Sequence, residues 1–223
     1  MKITILGTGF GALTAIKKVR KQAPDAQITV ISPSKELVYL PSIIWIPSNI
    51  RQAADLKINL TNFFDRQKVE YIQTSVKGVS KAGRTVHTDK GEFENDGLII
   101  ASGGSFIKKL PGIEHTITPC EGILAAEKIK YQLNALSGGT IAIGFGGNIK
   151  EPSAMRGGPM FEFLFGIDTL LRRQGRRDNF NLIFFNPALQ PGKRLGDKVP
   201  NIILKMMAKK GIKTHLGHKI KSF

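Results

Sequence analysis

Near the N-terminus, a glycine-rich turn follows a short apolar segment. Residues 2–6 read KITIL, which predicts a buried strand, and residues 7–12 read GTGFGA. Apolar residues at helical spacing follow as far as Pro24, and residues 27–31 predict a second buried strand. A strand, a glycine turn, a helix and a second strand in this order are typical of a Rossmann-like βαβ unit, whose turn binds the ADP half of a dinucleotide.

The residue types in this turn have physical reasons. Gly7 allows the tight turn, Gly9 removes a side chain where a pyrophosphate approaches the backbone, and Ala12 lets helix and strand pack closely. The N-terminus of the helix then faces the phosphates. One position departs from the pattern, because Ser32 ends the second strand where a carboxylate normally binds the ribose. A hydroxyl forms a weaker hydrogen bond there.

The remaining segments predict a meander and then a second α/β unit. Residues 33–62 are irregular and rich in proline, with short helices expected at 52–56 and 60–67. The other predicted elements are strands at 69–73, 76–79, 85–88, 91–94 and 97–101, a helix at 121–136, a strand at 140–143, a helix at 160–174, a strand at 181–185, a helix at 200–210, and strands at 212–216 and 219–222. A second glycine cluster, at residues 144–147, follows the strand at 140–143. Two α/β units in series, the second incomplete, are therefore predicted.

The charge is unusually positive for a chain of 223 residues. The net charge is +16, and residues 150–223 contribute 15 basic and 5 acidic residues to it. Such a surface suits an anionic lipid or an acidic partner, although plain solubility charge explains it equally well. The basic residues are not interleaved with aromatic ones, so a nucleic-acid partner is not expected.

The chain has one cysteine, Cys120, so it forms no internal disulfide and no four-cysteine metal site. His215 and His218 would point to different faces of a strand, and no metal site is predicted. The N-terminus enters a strand pattern at once, and no apolar run reaches the roughly 20 residues of a membrane span. The expected location is therefore cytoplasmic or peripheral on a membrane, without a signal peptide.

Several segments in order resemble one group of proteins. They are the turn at 7–12, residues 30–33 (VISP), residues 38–42 (VYLPS), residues 98–104 (LIIASGG) and residues 110–115 (LPGIEH). Together they resemble the two-dinucleotide-domain flavoproteins, within the branch of sulfide:quinone oxidoreductase, flavocytochrome c sulfide dehydrogenase and type II NADH dehydrogenase. The resemblance implies an α/β fold, with a Rossmann-like FAD-binding domain and meander over residues 1–118 and a partial NAD(P)-type Rossmann domain over residues 119–223. Family members continue further, to a third flavin motif, so the chain is expected to be a fragment or a truncated form.

The resemblance also implies site residues. The FAD-binding residues expected from it are Gly7, Gly9, Phe10, Gly11, Ala12, Ser32, Pro33, Pro41, Ser42, Val76, Ala101, Ser102 and Gly103. Residues 156–163 (RGGPMFEF) resemble the "GP-x-x-E" segment of the sulfide:quinone enzymes, which makes Glu162 a candidate proton carrier and Cys120 a candidate redox residue. The reactive cysteine that those enzymes carry shortly before "GP" has no counterpart here, which argues against a paired-thiol mechanism.

The residues that follow the second glycine cluster differ from those of a functional nicotinamide-dinucleotide site. Residues 148–159 after the cluster contain two prolines, and a helix cannot begin cleanly before about Gly158. Residues 181–185 are followed by Asn186-Pro187 rather than by an acid. The resemblance then implies sulfide or a similar small donor, with quinone as the acceptor. An NAD(P)H dehydrogenase of the same superfamily and a non-catalytic dinucleotide-binding module are the alternatives.

Four further features of the sequence each allow two interpretations. Cys120 is either a buried structural thiol or a nucleophile activated by a helix that begins at Glu121. Glu162 is either a proton carrier or a carboxylate stabilised by the helix dipole. Trp45 either packs in the core or lines the flavin or quinone cavity. Residues 172–177 (RRQGRR) are either a solvated helix end or a phospholipid contact.

Overall fold

The computed structural model describes residues 1–104, 108–147 and 157–223. The chain forms two compact units, the first comprising residues 1–39 and 54–105, and the second residues 40–53 and 106–223. This division differs from the predicted domains at 1–118 and 119–223. Residues 40–53 belong to the second unit, although the sequence places them inside the first.

The first unit contains the predicted βαβ start and the meander. Its elements are β1 (Lys2–Leu6), α1 (Phe10–Gln22), β2 (Gln27–Ser32), β3 (Glu36–Val38), β4 (Lys57–Asn59), α2 (Thr61–Arg66), β5 (Val69–Gln73), β6 (Val76–Ser80), β7 (Thr85–Thr88), β8 (Gly91–Glu94) and β9 (Gly97–Ile100). The main sheet is parallel with strand order β5-β2-β1-β9, and β6, β7 and β8 form the antiparallel meander. The short antiparallel pair β3–β4 was not predicted.

Both faces of the parallel sheet are covered, which explains the continuous apolar runs of β1 and β2. Ile5 and Val30 point to the face that packs against Ile16 of α1, and all three are fully buried. Leu6 and Ile31, one residue further along each strand, point to the other face and pack with Val86 of the meander. The alternation fixes the register of β1 against β2, in which Ile5 pairs with Val30.

The second unit has a smaller parallel sheet. Its elements are α3 (Ile123–Ala135), β10 (Gly139–Gly144), α4 (Gly158–Arg173), β11 (Phe180–Asn186), α5 (Val199–Lys209) and β12 (Lys213–Leu216). The strand order is β10-β11-β12, all parallel. α4 is buried along most of its length through Phe161, Leu164, Ile167 and Leu171.

Two details of the predicted elements were wrong. The predicted strand at 219–222 is irregular, and Phe223 N donates instead to Pro111 O at 3.0 Å while its ring lies 6.1 Å from that of Phe185. The helix predicted at 121–136 begins only at Ile123, because Pro119–Glu121 form a 3-10 turn and Gly122 has a φ of 132°.

Candidate functional site

The candidate site in the first unit lies where the chain changes direction across the sheet. β1 pairs with β2 on one side and with β9 on the other. In parallel α/β sheets, ligands bind in the crevice beyond the carboxyl ends of the strands at such a reversal. The turn after β1 and the loop after β9, residues 101–104, flank this crevice.

Gly7 brings these two segments into contact. Its φ of 104° lies in the region that favours glycine, and a Cβ at this position would stand 2.4 Å from the carbonyl oxygen of Ala101. The amide of Ala101 in turn donates to Leu6 O at 2.9 Å. A side chain at residue 7 would therefore push the turn and the loop apart.

The space around Gly9 is open, in contrast to that around Gly7. Its backbone is extended, and a Cβ built on it meets no atom within 4 Å. It is the N-cap of α1, where no side chain caps the helix and the first turn contains no acidic residue. The open space at Gly9 therefore faces helix N–H groups that suit an anion.

The residues that follow Gly9 in the turn make contacts of three kinds. Phe10 is 51% exposed and packs edge-on against Tyr39, with ring centroids 5.9 Å apart. Gly11 faces Ala101, whose Cβ would lie 3.7 Å from a Cβ at residue 11. Ala12 is fully buried in the core under β1, the close helix–strand packing that the sequence predicts for it.

Ser32 is placed less favourably for binding a ribose. Its side chain is buried, and its Oγ lies 3.4 Å from Oγ1 of Thr8, which also donates to Glu36 O at 3.0 Å. The Ser32 hydroxyl thus ties the end of β2 to the glycine turn. Pro33, next in the chain, is exposed.

The other predicted cofactor residues are distributed over three places. Ser102 and Gly103 are exposed in the loop after β9, where Gly103 has a φ of 82°. Val76 is 37% exposed at the start of the meander, on a different sheet from the glycine turn. Pro41 and Ser42 lie in the 3-10 turn Leu40–Trp45, which belongs to the second unit, and there Pro41 is exposed and Ser42 is buried.

In the second unit, the structure pairs two residues that are 117 positions apart. Nε1 of Trp45 donates to Oε1 of Glu162 at 2.7 Å. The pair stands in a groove of about 310 Å³ that Ile50, Phe165 and Arg173 also line. Glu162 is exposed on α4, although both neighbouring phenylalanines are buried. Its carboxylate is therefore held in a defined position and remains open to solvent.

Cys120 lies in the 3-10 turn Pro119–Glu121 and is half-buried. Burial raises the pKa of its thiol. This direction is opposite to activation by the dipole of a following helix, and α3 begins three residues later, at Ile123. The adjacent Glu121 forms an ion pair with Lys108 at 2.7 Å.

The second glycine turn carries an aromatic side chain that packs against two others. The ring of Phe145 lies 6.0 Å from that of Phe161 and 6.1 Å from that of Phe184. Asn186, at the end of β11, is buried, donates from Nδ2 to Phe145 O at 3.3 Å and accepts from Ala188 N at 2.9 Å. α4 begins at Gly158, with Pro159 in its first turn. Pro152, and the residues where the sulfide:quinone enzymes carry their reactive cysteine, lie in residues 148–156, outside the described ranges.

The sequence reasoning missed a buried charge cluster at the end of α4. Asp168 is 0% exposed and accepts from Lys210 Nζ at 2.7 Å, Arg177 Nε at 2.8 Å and Arg172 Nε at 3.0 Å. Burial opposes its ionisation, but the hydrogen bonds from Lys210, Arg172 and Arg177 outweigh that effect and hold its pKa below the usual value. Only the spacing of Asp168 and Arg172, one helical turn apart, signals this contact in the sequence.

This cluster corrects the picture of residues 172–177 as a solvated helix end. Arg172 and Arg177 bind Asp168 and also donate to Lys210 O, at 3.1 Å and 2.9 Å. Arg176 donates to the carbonyl oxygens of Leu133 and Leu136. Three of the four arginines in this segment are thus occupied within the second unit.

No group of three or more His, Cys, Asp or Glu residues is arranged to hold a metal ion within residues 1–104, 108–147 and 157–223. Every helix in these ranges is too short or too polar to cross a bilayer.

Comparison with known proteins assigns the fold and the glycine turn to a family. The model of the pyridine nucleotide-disulphide oxidoreductases matches residues 1–223, and the chain belongs to this family. The resemblance inferred from the sequence motifs is thereby confirmed at the level of the family, and so is the α/β fold class.

The relatives found carry several activities. The chain is 25% identical to the sulfide-quinone reductase of Aquifex aeolicus (strain VF5) over 186 aligned residues. The alignment covers 82% of this chain and 42% of that protein. It is 29% identical over 121 residues to the nitric oxide reductase FlRd-NAD(+) reductase of Aeromonas hydrophila, covering 52% of this chain and 31% of that protein. The chain thus spans less than half the length of these relatives.

A solved structure matches the whole chain. The sulfide:quinone oxidoreductase of the hyperthermophilic bacterium Aquifex aeolicus superposes with a TM-score of 0.85 and 22% identity, over 100% of this chain and 52% of that one. At this identity the likeness establishes the fold.

Proposed function

We propose that this chain is the dinucleotide-binding part of an FAD-dependent oxidoreductase of the sulfide:quinone type. In this proposal, electrons pass from sulfide or a similar small donor through FAD to a quinone. The observation that carries it is the open space at Gly9, in front of the uncapped N-terminus of α1 and beyond the carboxyl end of β1.

The residues of this crevice fit the ADP part of FAD. Gly9 leaves open space in front of an uncapped helix N-terminus, where a pyrophosphate would accept hydrogen bonds from backbone N–H groups. Gly11 lies beside Ala101, and the rings of Phe10 and Tyr39 pack against each other next to the turn. Ser102, Gly103 and Pro33 are exposed around the same strand ends. When bound, FAD supplies two-electron redox chemistry.

The second unit favours a donor other than a nicotinamide. A nucleotide pyrophosphate is bound by a helix that begins directly after the glycines, whereas α4 begins at Gly158 and Pro152 in the sequence before it disfavours a helix there. The ring of Phe145 in this turn packs against Phe161, and the side-chain amide of Asn186 hydrogen-bonds to backbone groups at the position where a ribose would need a carboxylate. Small donors such as sulfide need no such site.

Glu162 suits proton delivery to a reduced quinone. Reduction of a quinone to a quinol takes two electrons and two protons, and a solvent-open carboxylate that is fixed in place can relay protons from water. Trp45 Nε1 holds one carboxylate oxygen, Oε1, and leaves Oε2 to carry the proton. The apolar side chains of the groove, among them Ile50 and Phe165, suit the ring of a quinone.

Cys120 has a lesser part in this proposal. Its raised pKa keeps it a thiol at neutral pH, so it is a poor nucleophile in the resting chain. It is also the only cysteine of these 223 residues, so a mechanism through two thiols of this chain is excluded.

Two other functions have specific support. An NAD(P)H dehydrogenase is favoured by the name of the Aeromonas relative, an FlRd-NAD(+) reductase. A non-catalytic dinucleotide-binding module would keep the first crevice and use neither Glu162 nor Cys120.

The three functions are separated by spectra of the purified chain after incubation with FAD. A flavin absorption that stays with the protein through gel filtration supports the two enzymes, and anaerobic bleaching by sulfide at a rate well above that by NADH supports the sulfide:quinone type. Faster bleaching by NADH would overturn the proposal in favour of the dehydrogenase. A bound flavin that neither donor bleaches would support the non-catalytic module.

A further inference from the structure

The outer face of α5 carries apolar side chains that the described part of the second unit leaves exposed. Pro200, Ile203 and Met207 point inward and are buried. On the opposite side, Ile202 is 53% exposed and Met206, one turn later, is 42% exposed. Single exposed apolar residues are common, but adjacent ones on a helix form a patch that suits a partner.

Lysines surround this patch. At about 100° per residue, Lys198, Lys205 and Lys209 fall within the same third of the helix circumference as Ile202 and Met206. All three lysines are exposed. In the preceding turn, Leu195 is 60% exposed beside two more cations at residues 193 and 194. We call Leu195, Lys198, Ile202, Lys205, Met206 and Lys209 the α5 face.

The positive charge here is not neutralised by acids nearby in the sequence. Residues 187–223 contain nine lysines and arginines and a single acid, Asp197. Among the described residues, ion pairs engage only Lys210 of these nine cations. The arginines near residue 172, in contrast, are largely occupied by Asp168 and by carbonyl oxygens. Near the end of the second unit, the cations outside these ion pairs are therefore on and around α5.

We propose that the α5 face docks the protein on an anionic lipid bilayer. Aliphatic side chains that enter the interface and lysines that reach phosphate groups are the combination that surface-bound amphipathic helices use. The face contains no aromatic side chain on which a nucleic-acid base could stack, and a second copy of the chain would present the same positive charge. The proposal rests on the proposed function in one respect, since a quinone acceptor resides in lipid.

The test is cosedimentation of the full chain with vesicles of phosphatidylcholine alone and with 30% phosphatidylglycerol (a molar fraction of roughly one third gives a strongly anionic surface). Binding to the anionic vesicles and not to the neutral ones is expected, and it should weaken as salt is raised. Lys198→Gln/Lys205→Gln/Lys209→Gln should reduce the partition coefficient on the order of 100-fold, since each cation contributes roughly fivefold. Ile202→Ser/Met206→Ser should reduce it about tenfold.

α3 offers a matched control. Leu124 and Tyr131 are exposed at 82% and 75%, in a helix that also carries Glu127. Leu124→Ser/Tyr131→Ser should leave vesicle binding unchanged, and circular dichroism should show the same fold in all variants. Equal losses in the α3 and α5 variants, absence of wild-type binding, or tighter binding to double-stranded DNA than to the anionic vesicles would overturn the proposal. The assay needs neither flavin nor donor, so its failure would leave the proposed oxidoreductase chemistry standing.

Discussion

Replacing Asp168 by asparagine is expected to lower the free energy of unfolding by about 3–5 kcal/mol, the usual cost of breaking a buried ion pair from one side. Asparagine keeps the shape of the side chain and removes its charge. Arg177 and Lys210, whose side chains are only 12% and 29% exposed, would then remain as neighbouring cations without a counter-charge. Arg172 is 48% exposed, so solvent screens its share of the interaction.

The assay is urea unfolding at pH 7, followed by circular dichroism. With a slope of roughly 3 kcal/mol per molar urea for a chain of this size, the midpoint should fall by about 1–1.7 M. Arg172→Gln is the matched control, because it removes the most exposed partner and should cost less than about 1 kcal/mol. A loss for Asp168→Asn no larger than that for Arg172→Gln would refute the assignment of a buried charge cluster.

The pH dependence of stability provides a second test of the Asp168 carboxylate. Because the folded-state pKa of Asp168 is lowered, its contribution is fully present above the unfolded-state value of about 3.9 and is lost as the pH falls through the folded-state value. The difference in stability between wild type and Asp168→Asn should therefore narrow in acid. A difference that stays constant down to the acid unfolding transition would contradict the lowered pKa.

Three further outcomes follow from single contacts. Trp45→Phe should lower the free energy of unfolding by about 1 kcal/mol, because it removes the hydrogen-bond donor to Glu162. Trp45 is the only tryptophan in the sequence, so Glu162→Ala should increase acrylamide quenching of its fluorescence, whereas the exposed control Glu127→Ala should not. Alkylation of Cys120 by iodoacetamide should still accelerate above the ordinary thiol pKa of about 8.5, and a plateau below pH 8 would contradict the raised pKa. Asn186→Ala should cost about 1–2 kcal/mol through the orphaned carbonyl of Phe145, against less than about 0.5 kcal/mol for the exposed Asn201→Ala.

The local elements of the fold could be predicted because their causes are local. The glycine turn, the apolar runs of β1 and β2 and the turns of the meander each depend on neighbouring residues, and the structure places these elements within one or two residues of the predicted bounds. The start of α4 at Gly158 was predicted for the same reason, since Pro152 disfavours an earlier start and Pro159 is tolerated only in the first turn of a helix.

Contacts between distant residues could not be predicted. The ion pair of Asp168 with Lys210 spans 42 positions and the hydrogen bond of Trp45 with Glu162 spans 117, and no periodicity links such residues. Residues 40–53 pack in the second unit because Ile43, Ile44 and Ile46 are buried there, although the chain enters and leaves them from the first unit. In the candidate site, the glycines were identified by their backbone requirements, whereas the burial of Ser32 depends on Thr8.

FAD binding by Gly9 variants tests the central proposal most directly. Gly9→Val would place a side chain in the open space proposed for the pyrophosphate, and the extended backbone at this residue accepts valine without strain. Gly78→Val is the matched control, because a Cβ at Gly78, in the meander, also meets no atom within 4 Å. We expect wild type and Gly78→Val to retain flavin through gel filtration. Gly9→Val should keep the fold and bind FAD at least tenfold more weakly. Equal flavin retention by Gly9→Val and wild type would contradict it.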